Sequence, residues 1–188
     1  CDGRAYSSFV RRALRSSGVE VVEGEVEQFR WAGDRAVSAV LSAGGAICFR
    51  SAVVAAGTFL GAVLFRGRER WSGGRAGDKS SDRLCAHLSG RGFHVERFKT
   101  GTPPRLLAGS IDYGALEQQA EEGGSWRFSS RGGARFSDKR AVCFTTRAGC
   151  RAIEAARAGM GGSPLFDGSI GGRGPRYCPS FEDKAARF

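Results

Sequence analysis

The chain has 188 residues, 41% of them hydrophobic, which supports one domain-sized core or parts of two. No run of about eighteen apolar residues occurs, which excludes a transmembrane helix of that kind. A net charge of +10 favours polyanionic partners, although Arg far outnumbers Lys in a chain rich in Ala and Gly, the mark of GC-rich coding, and no dense basic run defines a patch. Residues 4–16 read as a helix: Ala5, Phe9, Ala13 and Leu14 fall on one side, Arg11, Arg12 and Arg15 largely on another, and Gly18 ends it. Residues 19–22 form a short strand, followed by three β-like runs at 25–31, 36–42 and 46–50 with Gly-containing turns between them. Residues 51–56 run apolar into Gly57 and Thr58, which suits a strand buried on both faces.

The second half continues with a Gly-rich turn, Gly73-Gly74-Arg75-Ala76-Gly77-Asp78, that opens a helix over 82–89. Such a turn presents free N–H groups and the positive helix end to an anion, while Asp78 or Ser81 serves equally as a plain cap. His87 on that helix and His94 beyond it read as structural. Residues 93–98 are a further strand, and Pro103-Pro104 fixes an extended exit from Lys99-Thr100-Gly101-Thr102. Residues 120–140 read as a flexible loop, 141–146 as a strand, 150–160 as an Ala-rich helix, and 174–184 as polar and turn-like. The order helix, strand, β-meander and buried strand ending in Gly matches the second half of a nucleotide-binding flavoprotein domain, where ligands sit at strand carboxyl ends. Any α/β sheet edge is the alternative.

Cys1, Cys48, Cys85, Cys143, Cys150 and Cys178 form no CxxC pair, and His87 and His94 add no zinc-ligand spacing. They read as reduced thiols in a cytosol or organelle matrix, most of them small buried hydrophobes. Cys1-Asp2-Gly3-Arg4 has neither an initiator Met nor an apolar signal core, so the chain reads as an internal piece of a longer protein.

Four blocks in order then carry a resemblance: Ala56-Gly57-Thr58-Phe59-Leu60-Gly61, Gly73 to Asp78, Lys99 to Arg105, and Gly174 to Phe188. Ser163-Pro164-Leu165-Phe166-Asp167-Gly168 and Ser110-Ile111-Asp112 support them. With these blocks the chain resembles the tRNA uridine 5-carboxymethylaminomethyl modification enzymes, the MnmG/GidA family, over essentially its whole length. The resemblance implies an α/β fold: part of an FAD-binding, two-dinucleotide-binding flavoprotein with an inserted α/β domain. Residues 1–104 would be the latter part of the FAD domain, 105–172 the inserted domain associated with NAD, and 173–188 the return segment.

The resemblance also implies site residues and partners. Val26, Gly57, Thr58 and Ser81 would contact FAD; an ordinary strand residue and a helix cap are the other readings of Val26 and Ser81. The segment Gly174-Pro175-Arg176-Tyr177-Cys178-Pro179-Ser180-Phe181-Glu182-Asp183-Lys184-Ala185-Ala186-Arg187-Phe188 matches the one assigned to NADH. The implied reaction adds a one-carbon unit from methylenetetrahydrofolate to C5 of the wobble uridine, and Cys178 is the candidate nucleophile because a thiolate both attacks and leaves readily. Glu182 and Asp183 would orient the loop, act in acid–base steps, or make solvated ion pairs. The implied partners are tRNA, a GTPase of the MnmE type and a second copy in a homodimer, with no membrane. The chain departs from the family at Thr146-Arg147-Ala148-Gly149 and Arg151-Ala152-Ile153-Glu154, where polar Thr, His and Asn positions are lost. This puts nucleotide handling in the inserted domain in doubt. A basic RNA-binding module without catalysis and a related folate- and FAD-dependent tRNA methyltransferase are the competing functional readings, and the fragment by itself is expected to be inactive.

Overall fold

The computed structural model describes residues 3–119, 142–172 and 179–187. They fall into two compact units divided between Arg97 and Phe98.

The first unit opens with helix α1, Gly3–Ser16. Ala and Leu favour the helical form, and it ends where the Ser17 N–H and hydroxyl bond back to Leu14 O and Gly18 takes a φ of +74°. An antiparallel meander follows, ordered β1 (Val26–Ala32), β2 (Arg35–Leu41), β3 (Ala46–Cys48). Gly33 at φ +61° turns β1 into β2. Register shifts in β1 between Val26 and Gln28 and between Arg30 and Trp31 bend the strand, as extra residues in a ladder do. Phe29 and Trp31 share a face and meet edge to face at 6.4 Å.

A hairpin absent from the sequence-based reading comes next: β4 (Val63–Arg66) pairs with β5 (Glu69–Ser72) around Gly67 at φ +56°. Then α2 runs over Asp82–Gly90, and its i, i+4 pair Leu84 and Leu88 is buried. α2 packs on β1, where His87 Nε2 accepts from the Phe29 backbone N–H at 3.1 Å and from the Trp31 indole N–H at 3.0 Å. With two donors aimed at Nε2, the ring proton belongs on Nδ1. Arg91, past the helix end, lies 4.5 Å over the Trp31 ring and donates to Gly33 O. The structural role expected of His87 is what the structure shows, and His94 pairs with Glu96 at the surface.

The second unit holds, among the described residues, three one-turn 3-10 segments at 108–110, 113–115 and 160–162, the short pair β6 (Glu117–Gln118) and β7 (Phe144–Thr145), helix α3 (Cys150–Gly159) and helix α4 (Phe181–Arg187). α4 packs on α3, where Ala185 is buried and the Arg157 guanidinium donates to Ala185 O at 2.9 Å.

Five local expectations are corrected. Among the described residues, 19–22 and 51–56 belong to no β-strand, and 93–98 has only an isolated bridge at Phe98. A strand requires a neighbouring ladder, and an apolar run supplies none by itself; Val53 remains 92% exposed. Residues 181–187 are helical rather than turn-like. Among the described cysteines, Cys48, Cys143 and Cys150 are exposed and Cys85 is half-buried, against the expectation of buried thiols; Cys1 and Cys178 lie outside the described residues. The expected loop at 120–140 and the first residue of the expected strand at 141–146 lie outside the described residues. No helix among the described residues is long and apolar enough to cross a membrane.

Replacing His87 with Ala strands two part-buried donors, so a loss of about 1–2 kcal/mol is expected. Urea unfolding followed by Trp fluorescence measures it, and an unchanged midpoint would refute the anchoring role.

Candidate functional site

Two of the recognised blocks are joined in the first unit. The turn Ala56-Gly57-Thr58-Phe59 closes with the Phe59 N–H on Ala56 O at 3.1 Å, and Gly57 takes φ +57°. That conformation favours glycine, and a Cβ at Gly57 would meet nothing within 4 Å. The backbone there is open on one side.

The second block lies directly against this turn. Thr58 Oγ1 donates to Gly74 O at 2.9 Å, and the Gly73 N–H donates to Ala62 O at 3.1 Å. Gly74 approaches so closely that a Cβ would lie 2.8 Å from Phe59 Cα. Within the block, the Asp78 N–H bonds to Arg75 O across Gly77 at φ +87°, and the Arg75 guanidinium holds the Asp78 carboxylate at 2.7 Å. The pair is largely exposed, so it shapes the loop more than it stabilises the fold.

Ser80 ties the two blocks to α2. Its buried hydroxyl donates to Phe59 O at 2.9 Å and accepts from the Ala62 N–H at 2.7 Å, while the Ser81 N–H also donates to Phe59 O at 2.8 Å. Ser81 occupies the position before α2, yet its side chain makes no capping bond. The plain-cap reading of Ser81 therefore lacks its defining interaction. Asp82 follows; hydrogen bonding by the Ser80 and Ser72 hydroxyls, with the charge of Arg97 and against desolvation, holds its carboxyl below the ordinary 3.8. A hydroxyl has one proton, and that of Ser80 is engaged at Phe59 O, so the 2.7 Å bond from Ser72 is the partnership we assign to Asp82. Val26 opens β1, half-buried opposite Leu41.

The last block contributes to the second unit. Ser180 and Asp183 form a reciprocal capping box: the Asp183 N–H donates to Ser180 Oγ at 3.0 Å, and Asp183 Oδ2 accepts from the Ser180 N–H at 2.9 Å and its hydroxyl at 3.0 Å. The Ser180 N–H, then its hydroxyl, and the charges of Lys99 and Arg187 hold Asp183 below its ordinary 3.8, against desolvation. Lys99 begins the third block, so the third and fourth blocks are near enough to interact electrically. Of the fourth, Pro179, Ser180, Phe181, Glu182, Asp183, Lys184, Ala185, Ala186 and Arg187 are described; Gly174, Pro175, Arg176, Tyr177, Cys178 and Phe188 lie outside the described residues.

Sequence reasoning passed over Ser80, which no motif marks, because its importance comes from the carbonyl and amide that folding brings to it. It also passed over the cap at Ser180. The signal was present there as Ser-x-x-Asp ahead of a helix-compatible run.

Gly74→Ala is expected to push the two blocks apart and destabilise the first unit by about 1–3 kcal/mol; thermal unfolding with no loss would show that the approach is not required. For Asp183 the folded value is depressed, so its contribution is present above the unfolded value of 3.8 and lost as pH falls through the folded one. Acidification below about pH 3.8 should therefore fray α4, and Ser180→Ala should do so at neutral pH at a cost of about 1 kcal/mol. Amide exchange at residues 181–187 reads both.

The profile of the family described as "Glucose inhibited division protein A" matches residues 1–188. The chain is similar to the tRNA uridine 5-carboxymethylaminomethyl modification enzyme MnmG of Zymomonas mobilis, 37% identical over all of this chain and 30% of that protein. The MnmG proteins of Bdellovibrio bacteriovorus and Myxococcus xanthus are 38% and 39% identical, again over all of this chain and over 29% and 32% of theirs. Aquifex aeolicus GidA, in its form I crystal, superposes on the whole chain with a TM-score of 0.86 at 29% identity, over 32% of its own length. The expected α/β architecture is thus that of one part of GidA, and the chain spans about a third of the length of the relatives it matches. Profile, relatives and superposed structure agree over every residue, and the chain belongs to the glucose inhibited division protein A (GidA/MnmG) family.

Proposed function

We propose that this chain is the part of an FAD-dependent tRNA-modifying enzyme that supplies one wall of the flavin site, in a reaction that carboxymethylaminomethylates C5 of the wobble uridine. The observation that carries the reading is the junction of the Gly57 turn with the Gly73–Asp78 loop. Two glycine-dependent segments are locked together by Thr58, Ser80 and Phe59, with unobstructed backbone at Gly57. Such a surface lets a large planar cofactor approach main-chain N–H groups. The Ser81 hydroxyl, free of capping, suits a contact to the same ligand, and Thr58 Oγ1 keeps lone pairs to accept from it. These residues fit FAD. Val26 completes the proposed contacts.

FAD, once reduced by NADH, would supply the redox chemistry, methylenetetrahydrofolate the one-carbon unit attached at C5, and glycine or ammonia the amine. This chain's own contribution is to bind and orient. Residues 1–104 form the FAD-domain portion, 105–172 the inserted portion, and 173–188 the return that carries the NADH-associated segment. Cys178 is the nucleophile of the proposal: a thiolate adds to an electron-poor pyrimidine and departs again. The capping box at Ser180 and Asp183 orders the start of α4 in the same family block. The proposal includes tRNA as substrate, an MnmE-type GTPase as partner, a homodimer at the family's full length, and a bacterial cytoplasm or organelle matrix as location.

The test uses the polypeptide at its relatives' full length. It should carry flavin absorbance, and Cys178→Ser should keep the flavin while abolishing the C5 modification in tRNA nucleoside analysis. A colourless protein that takes up no added FAD would overturn the proposal; a modification that survives Cys178→Ser would remove the assigned nucleophile.

A further inference from the structure

The helix α1 gathers charge that the linear sequence disperses. At about 100° per residue, Arg4, Ser8, Arg11, Arg12 and Arg15 follow i, i+4, i+7, i+8, i+11 and fall on one stripe, opposite Tyr6, Phe9 and Ala13. Gly3–Ser16 contains no acidic residue. The whole helix is exposed except for half-buried Val10, and Arg11, Arg12 and Arg15 form no salt bridge among the described residues. Along the axis the stripe runs about 16 Å, at roughly 1.5 Å per residue.

We infer that this arginine face of α1 is a docking surface for the sugar-phosphate backbone of RNA. The guanidinium groups of Arg11, Arg12 and Arg15, about one helical turn apart, offer forked donors to successive phosphates of a strand, and the helix itself carries no carboxylate to offset them. The inference rests on the proposed tRNA substrate for the choice of polyanion. The opposite face, with Tyr6 and Phe9, gives the helix the look of a membrane-surface element, which the test separates.

The 188-residue chain is titrated with unfractionated tRNA over a range of KCl concentrations. Replacing Arg11, Arg12 and Arg15 together with Gln, a good helix former, should weaken binding and reduce the slope of log K against log salt by about 2 to 3. The corresponding Lys variant should keep most of the slope, and circular dichroism checks that both retain helix. An unchanged slope in the Gln variant overturns the inference, as does equal loss in the Lys variant. Binding of phosphatidylserine vesicles that is abolished by the Gln substitutions, with tRNA binding unaffected, also overturns it. Flavin uptake by the full-length protein is read separately: its failure alone removes the flavoenzyme reading and leaves an RNA surface, whereas flavin uptake with no α1 effect removes this inference alone.

Discussion

The first unit depends on an approach that only glycine permits. Phe59 and Gly74 lie close enough that a methyl on Gly74 would press into backbone as well as ring, so two loops distant in sequence pack main chain against main chain. Bringing backbones together strands polar groups unless each finds a partner. Here the Phe59 carbonyl is met twice, by the Ser80 hydroxyl and the Ser81 N–H, and the Gly74 carbonyl by Thr58. The buried hydroxyl of Ser80 is thus a consequence of the glycine contact: it supplies a donor and an acceptor where two chains are too close to admit a larger group. This junction also sets where α2 starts, and hence where its buried leucines point.

From there the coupling runs along α2 to the meander. Leu84 and Leu88 supply the non-directional attraction, roughly 1.5–3 kcal/mol for each fully buried side chain. His87 supplies the direction, because an acceptor shared by the Phe29 amide and the Trp31 indole allows one rotation and one height of the helix on the strand. The bends in β1 beside Trp31 present that indole. The apolar surface left at Val53, Leu106 and Leu107 is in keeping with a chain that forms about a third of its relatives' length.

Electrostatics divides between pairs that shape loops and a field that reaches outward. Arg75 with Asp78, Arg66 with Glu69 and Arg83 with Glu27 are pairings whose arginines are largely exposed; their Coulomb energy is small in water, and their effect is to favour particular loop and side-chain arrangements. Asp183 is different in kind, since its carboxylate satisfies the open N–H of Ser180 at a helix start and also meets the helix's positive end. The charge of α1 is the outward field, produced by helical periodicity alone.

The sequence alone was enough for whatever depends on short-range pattern. The α1 boundaries, the three strands of the meander, α2, α3 and the glycine-marked turns follow from periodicity, propensity and φ requirements that act within a few residues, and the four ordered blocks pointed to the family. Decisions that need a partner from elsewhere in the chain were not legible. Residues 51–56 carry the composition of a strand but no ladder among the described residues, because pairing is a property of two segments. The β4–β5 hairpin was hidden by arginines that alternate poorly, and α4 by prolines and charges that mask a capping box. Ser80 and His87 have little meaning in the linear order. Their roles come from a carbonyl, an amide and an indole tens of residues away, and only the tertiary structure brings those groups within hydrogen-bonding distance.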